Sequence, residues 1–166
     1  MARIVLTDAS PLIGLARVNG LAWLAPLFGT VWMPPEVRAE VLSGTGLPDE
    51  AAIATALKNG ALREWRRPVA AKLALPDLDE GEAACIRIAC ARAARGDAPL
   101  LLMDERAGRA VAVEHGLKVA GTAAVIGMAK QAGLIGSAKA ALTLLHNSNF
   151  RISPEVIRTV LVRAGE

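Results

Sequence analysis

Tyrosine is absent and phenylalanine occurs only twice among the 166 residues. Together with three tryptophans, aromatics make up 3% of the chain. So little aromatic surface argues against a single-strand binder built on stacking platforms. Cysteine is just as scarce. Cys85 and Cys90 fall in one expected helix, where they rise about 7.5 Å apart and face different directions, beyond disulfide reach. Two unpaired buried thiols in a reducing compartment are therefore expected. No Cys-x-x-Cys pattern occurs and the two histidines, His115 and His146, stand alone, which disfavours zinc. Neither a G-x-G-x-x-G after the first strand nor a G-x-x-x-x-G-K-[ST] is present, which disfavours dinucleotide and P-loop chemistry. Long apolar runs are missing as well. Leu21 to Met33 is too short to span a bilayer and is interrupted by Pro26 and Gly29. Only Ile4-Val5-Leu6 precedes Asp8, so no signal-peptide apolar region is seen. A soluble, cytoplasmic protein without membrane association is the expectation.

What the chain does have is core-forming material. Apolar residues account for 53% and charged residues for 21%, with a mean hydropathy of +0.37. That excludes disorder and predicts a well-filled core. The length suits a single domain over residues 1–166. Nineteen basic residues against sixteen acidic ones leave a net charge of +3, which permits nucleic-acid binding without demanding it.

Strand-like and helix-like segments alternate along the chain. Arg3 to Thr7, Val31 to Met33, Ala61 to Trp65, Leu100 to Met103 and Leu117 to Val119 read as short strands. Between and after them, helices are expected at Pro11–Val18, Leu21–Phe28, Pro35–Leu42, Pro48–Lys58, Asp79–Arg95, Glu105–His115, Ala123–Gln131, Ser137–His146 and Ser153–Arg163. A polar connection runs from Arg66-Arg67-Pro68 to Asp77. This order predicts an α/β fold with three layers, α/β/α, around a short parallel sheet.

In such sheets ligands sit beyond the carboxyl ends of the strands. Asp8 follows the first strand, and Asp104 with Glu105 follows the fourth. Glu40 lies past the first turn of its helix, between Val37 and Val41, and Glu82 sits early in an apolar helix. Each acid also has a plain explanation. Asp8 and Asp104 can cap the helices that follow them, Asp79 and Glu82 fit a capping box, and Glu40 suits a solvated face. If the acids do gather, they repel one another and require a cation. Oxygen ligands alone favour Mg²⁺ or Mn²⁺, which activate water and stabilise a phosphodiester oxyanion.

Thr7-Asp8-Ala9-Ser10-Pro11-Leu12-Ile13 resembles the opening of PIN-domain proteins. More closely, it resembles PIN-like prokaryotic proteins related to VapC-type toxins. The resemblance continues through Pro34-Pro35-Glu36-Val37-Arg38-Ala39-Glu40-Val41, Leu78-Asp79-Glu80-Gly81-Glu82-Ala83 and the stretch from Leu101 to Arg109. Gly121-Thr122 and Phe150-Arg151-Ile152-Ser153 extend it to the C-terminus. It implies a metal-dependent ribonuclease in which Asp8, Glu40, Glu82 and Asp104 are catalytic and hold one or two Mg²⁺ or Mn²⁺ ions. Ser10 matches a small polar residue beside the metal, and Glu105 either supplements Asp104 or faces solvent. The third acidic position carries Glu82 where many VapC toxins carry Asp, and the extra methylene shifts metal geometry there.

The expected activity is endonucleolytic cleavage of RNA, as the toxin of a toxin–antitoxin pair, with an antitoxin protein and a second copy of the chain as partners. Arg106 and Arg109, close to Asp104, are the candidate RNA-phosphate contacts. Arginine clusters at Arg63, Arg66 and Arg67 and at Arg87, Arg92 and Arg95 read either as solvated faces or as further phosphate grips. Two rivals come from other classes. A non-catalytic PIN-like module that binds RNA or an antitoxin would use the acids as caps. A phosphoacceptor α/β domain usually needs an acidic pair at the first strand, and Thr7-Asp8-Ala9 supplies one acid only.

Overall fold

The computed structural model describes residues 3–69 and 73–166. Five parallel strands form its sheet: β1 (Arg3–Thr7), β2 (Val31–Met33), β3 (Leu62–Glu64), β4 (Ala98–Leu102) and β5 (Lys118–Ala120). Their order is β3-β2-β1-β4-β5. The chain thus leaves β1 toward one edge, then returns to fill the other side. The helices are α1 (Ala9–Arg17), α2 (Leu24–Phe28), α3 (Pro35–Val41), α4 (Pro48–Lys58) and α5 (Glu80–Ala93). They continue as α6 (Arg106–Glu114), α7 (Thr122–Gln131), α8 (Ala138–Asn147) and α9 (Pro154–Ala164). Helix α1 packs on α4, and α5 packs on α6. Right-handed crossovers place these two pairs on opposite faces of the sheet, giving the expected α/β/α layers.

β1 and β4 are the central pair, in register from Arg3 opposite Ala98 to Thr7 opposite Leu102. Both faces of these strands are covered, so Val5, Leu6, Leu100, Leu101 and Leu102 are buried without alternation. Removing a fully buried leucine such as Leu101 costs about 2–5 kcal/mol in cores of this kind. A second apolar cluster joins α7, α8 and α9 through Ala123, Ile126, Leu142, Leu145 and Val160. It fixes α7, whose first residue later enters the site.

The elements differ from the sequence reading mainly at prolines. The expected helix Leu21–Phe28 is a 3-10 turn, Leu21–Trp23, followed by α2. Pro26 has no N–H to reach the carbonyl four residues back and its ring crowds that carbonyl, so one continuous helix cannot form. Helix α1 starts at Ala9 rather than Pro11, which places Pro11 in the first turn, where an N–H has no helical partner. β4 begins at Ala98 and includes Pro99. β5 starts only opposite Leu100, so Pro99 has a strand on one side alone and its missing N–H is tolerated. Cys85 is buried as expected and its thiol donates to Thr7 O at 3.4 Å, whereas Cys90 is half-buried.

Candidate metal and active site

Between β1 and β4 the connections leave in opposite directions, and a crevice opens at their carboxyl ends. Asp8 and Asp104 stand on its two sides. The Asp8 N–H donates to Leu102 O at 3.0 Å, which continues the ladder one residue past the strand and fixes the start of α1. Asp8 occupies the N-cap position of α1, but its side chain makes no capping bond. The residue is 3% exposed, and its Oδ1 is buried without a hydrogen-bond partner. The capping explanation of Asp8 therefore fails.

Helix α5 brings the next acids. Asp79 and Glu82 form the expected capping box: Glu82 N donates to Asp79 Oδ1 at 2.8 Å, and Asp79 N donates to Glu82 Oε2 at 3.3 Å. The box holds both carboxylates against the crevice. Glu82 is buried, and its Oε1 faces Gly108 of α6, where a Cβ would come within 3.0 Å of it. Gly81 does the same service for Asp8. A Cβ on Gly81 would lie 3.0 Å from Asp8 Oδ1 and 3.5 Å from Asp79 Oδ1. The missing side chain leaves a small space between two carboxylate oxygens.

Electrostatics show how costly this gathering is. Burial pushes the Asp8 carboxyl up to about 7; the neighbouring Ala9 N–H partly opposes this, and the charges of Asp79, Glu82 and Glu40 add to it. Glu82 is raised by burial, then by Asp79, with Glu105 and Glu40 contributing. Glu40 is exposed on α3 and is raised by its partial desolvation and by Asp79. Asp8, Glu82 and Glu40 thus share one field with Asp79, an acid that the sequence reading treated only as a cap. The Asp79-x-x-Glu82 spacing was the available signal, because a capping box forces the two side chains together.

Asp104 is built differently. It does not cap α6, whose N-cap position is held by Glu105. Instead its Oδ1 accepts from Thr122 N at 2.8 Å, and its Oδ2 accepts from Thr122 Oγ1 at 2.7 Å and Ser10 Oγ at 3.1 Å. Asp104 is therefore tied to the N-terminus of α7, a helix remote in sequence. Ser10 sits beside this acid, and Thr122, present in the sequence only as part of the Gly121-Thr122 likeness and given no role there, is its anchor. Its only sequence signal is a Gly-Thr pair directly after a strand.

The other expected residues divide. Glu105 is exposed, with its charge close enough to act on Glu82. Arg106 is exposed, whereas Arg109 is half-buried and its Nη1 donates to Met103 O at 3.1 Å. One Arg109 N–H is thus engaged by the backbone, and the same nitrogen lies beside Asp104: a Cβ on Gly121 would come 2.9 Å from both Arg109 Nη1 and Asp104 Oδ1. The expected four-acid cage also differs from what is found. Among the described residues, no three His, Cys, Asp or Glu side chains converge closely enough to hold a metal ion. Three of the four acids share a field, and the fourth has its hydrogen bonds already made.

The donor set nonetheless fits a hard divalent cation. It consists of carboxylate oxygens alone, one of them buried and unpartnered beside a space that only a glycine leaves. No curated protein and no solved structure matches the chain significantly. The family model for the PIN domain matches residues 4–166, in agreement with the parallel α/β sheet and the acids at its carboxyl edge; the chain belongs to the PIN-domain family.

Proposed function

We propose that this protein is a divalent-metal-dependent endoribonuclease. The observation that carries the reading is the orphaned, buried Oδ1 of Asp8, set among three further carboxylates at the switch point of the sheet. A buried carboxyl without a partner costs about 1–3 kcal/mol or more, and a fold keeps such a group where a ligand satisfies it. Asp8, Glu82 and Glu40 would hold Mg²⁺ or Mn²⁺, with Asp104 on the opposite wall. A cation bound there supplies positive charge for the phosphodiester oxyanion and makes water more acidic.

The chain's own residues set the conditions for that chemistry. Asp8 holds a proton near neutral pH and releases it when positive charge arrives. Asp104 keeps one orientation because Thr122 and Ser10 fill three of its acceptor positions. That leaves an acceptor position on Oδ1 for a water or its proton.

The narrower reading, a toxin held in check by an antitoxin protein, rests on the likeness to VapC-type toxins, as does a homodimer. Growth arrest on expression, relieved by a neighbouring gene product, tests the first; sedimentation velocity tests the second. One observation favours a non-catalytic module: the acids are not drawn together into a cage. Cleavage of a mixed RNA pool decides between them. Cutting with Mn²⁺ or Mg²⁺ that is lost with EDTA and in a folded Asp8→Asn/Asp104→Asn variant is expected. Absence of both cutting and Mn²⁺ binding sinks the nuclease reading.

A further inference from the structure

Charge is distributed unevenly over the molecule, and the excess is not where Arg106 and Arg109 lie. A cleft of about 560 Å³ beside β3 is lined by Arg38, Lys58, Arg63 and Arg66, with Trp32 in its wall. It shares Arg66 with a second cleft of about 400 Å³, where Arg67 and Arg87 join. That one shares Trp65, Arg67 and Ile88 with a third of about 290 Å³, which adds Arg92 and Arg95. Among the described residues, eight basic ones thus line three connected clefts, against two carboxylates, Glu36 and Glu64. The other described residues are together net acidic.

The cations fall into two kinds. Arg92 pairs with Asp97, Arg87 donates to Leu73 O, and Arg38 and Arg66 approach Glu64 at 3.8 and 3.5 Å. Arg87 and Arg92 are held by the protein, whereas Arg38 and Arg66 share one carboxylate and stay exposed. Lys58, Arg63, Arg67 and Arg95 are exposed, and among the described residues none has an acidic partner within 4.0 Å. Arg67 stacks 5.7 Å from the Trp65 ring centroid, which keeps its guanidinium spread over the cleft. One track with four free cations at its surface and a half-buried Trp32 at one end suits a flexible polyanion with bases. The track also adjoins the acidic crevice, because α3 carries Arg38 into the first cleft, Glu36 into the second and Glu40 toward Asp79.

We infer that this β3–α5 track binds the single-stranded RNA that flanks the cleaved phosphate. The inference rests on the ribonuclease reading, but its test does not. Binding of a fluorescein-labelled, mixed-sequence single-stranded RNA is measured by anisotropy in EDTA, over a salt series. A Lys58→Ala/Arg63→Ala/Arg67→Ala/Arg95→Ala variant is compared with a variant of equal charge change elsewhere, Lys118→Ala/Lys139→Ala/Arg158→Ala/Arg163→Ala. The track variant is expected to bind at least about tenfold more weakly, with a log–log salt slope shallower by about 3, while the second variant keeps the wild-type slope. Equal affinity and slope in both variants overturn the inference. So does a track variant that keeps RNA binding but loses binding of an acidic poly-glutamate peptide, which would mark a protein-docking surface. Thermal melts check folding, and single Arg63→Glu and Arg95→Glu variants, both at exposed positions, replace the fourfold variant if it melts early. A wild-type protein that binds RNA through the track yet neither cuts RNA nor binds Mn²⁺ would refute the nuclease and leave the track.

Discussion

Asp8 and Asp104 follow neighbouring parallel strands and look alike in sequence, yet their surroundings are opposite. Asp8 is buried, has an oxygen without a donor and is pushed up to about 7. Asp104 is half-buried and receives three hydrogen bonds from Thr122 and Ser10. One wall of the crevice lacks a positive partner, and the other is already satisfied by dipoles. The difference teaches where a cation's binding energy would come from: the Asp8 wall, where carboxylate repulsion and burial have raised the free energy of the empty charged state. The Asp104 wall gives orientation instead.

The largest expected effect breaks the comparison outright. Asp8→Asn removes the strained charge. The folded-state pKa lies above the unfolded value of 3.8, so the native protein binds more protons between about pH 4 and 7 and loses stability as pH rises through that window. Above pH 7 the penalty is complete, of order 4 kcal/mol. Asp8→Asn is therefore expected to be more stable than wild type at pH 8 by several kcal/mol, to show a flatter stability profile between pH 4 and 7, and to lose cleavage by about a hundredfold or more. Urea unfolding across pH and the RNA assay check this. A variant less stable than wild type at pH 8 would mean that Asp8 is not under strain.

Next comes the cation itself. At pH 8, Mn²⁺ at a hundred times its dissociation constant is expected to stabilise wild type by about 2.7 kcal/mol and Asp8→Asn by far less. Equal shifts in melting temperature would place the ion elsewhere. On the other wall, Thr122→Val deletes the Oγ1 donor to Asp104 and keeps the shape of a fully buried side chain. A loss of about 2 kcal/mol in urea unfolding is expected, with the stabilisation by Mn²⁺ largely retained. The smallest effect sharpens the comparison. Gly81→Ala puts a methyl 3.0 Å from Asp8 Oδ1 and 3.2 Å from Val37 Cγ2, into the space that the cation would use. Mn²⁺ binding measured by calorimetry is expected to weaken about tenfold, with little change in metal-free stability, because Ala favours the helix while its methyl crowds Asp8.

Much of this frame was legible in the sequence because local rules act over a few residues. The strand runs, the Ser153 and Asp79 caps and the Pro35 and Pro48 helix starts all follow from neighbours in the chain. Pro26 and Pro99 depart from local expectation for opposite reasons. Pro26 breaks a helix by its own chemistry, whereas Pro99 is tolerated only because β5 starts one residue later. The arginine groups around Arg63 and Arg92 were visible as composition, but their joining into one track depended on α5 packing beside the Trp65–Val69 segment that follows β3. Trp32 and Trp65 meet edge-on at 5.6 Å across that region, so even a chain poor in aromatics concentrates two of them there.

The sequence by itself determined the alternation of strands and helices, the acids that follow β1 and β4, and the capping box that fixes Asp79 to Glu82. These depend on hydrophobic period and on hydrogen bonds spanning three or four residues. Tertiary structure alone decided that Asp8 goes unpartnered while Asp104 is held by Thr122, eighteen positions away. It also decided that eight cations share one surface. A carboxylate's charge state depends on burial and on what lies within a few ångströms, and the chain sets those only once the sheet has closed.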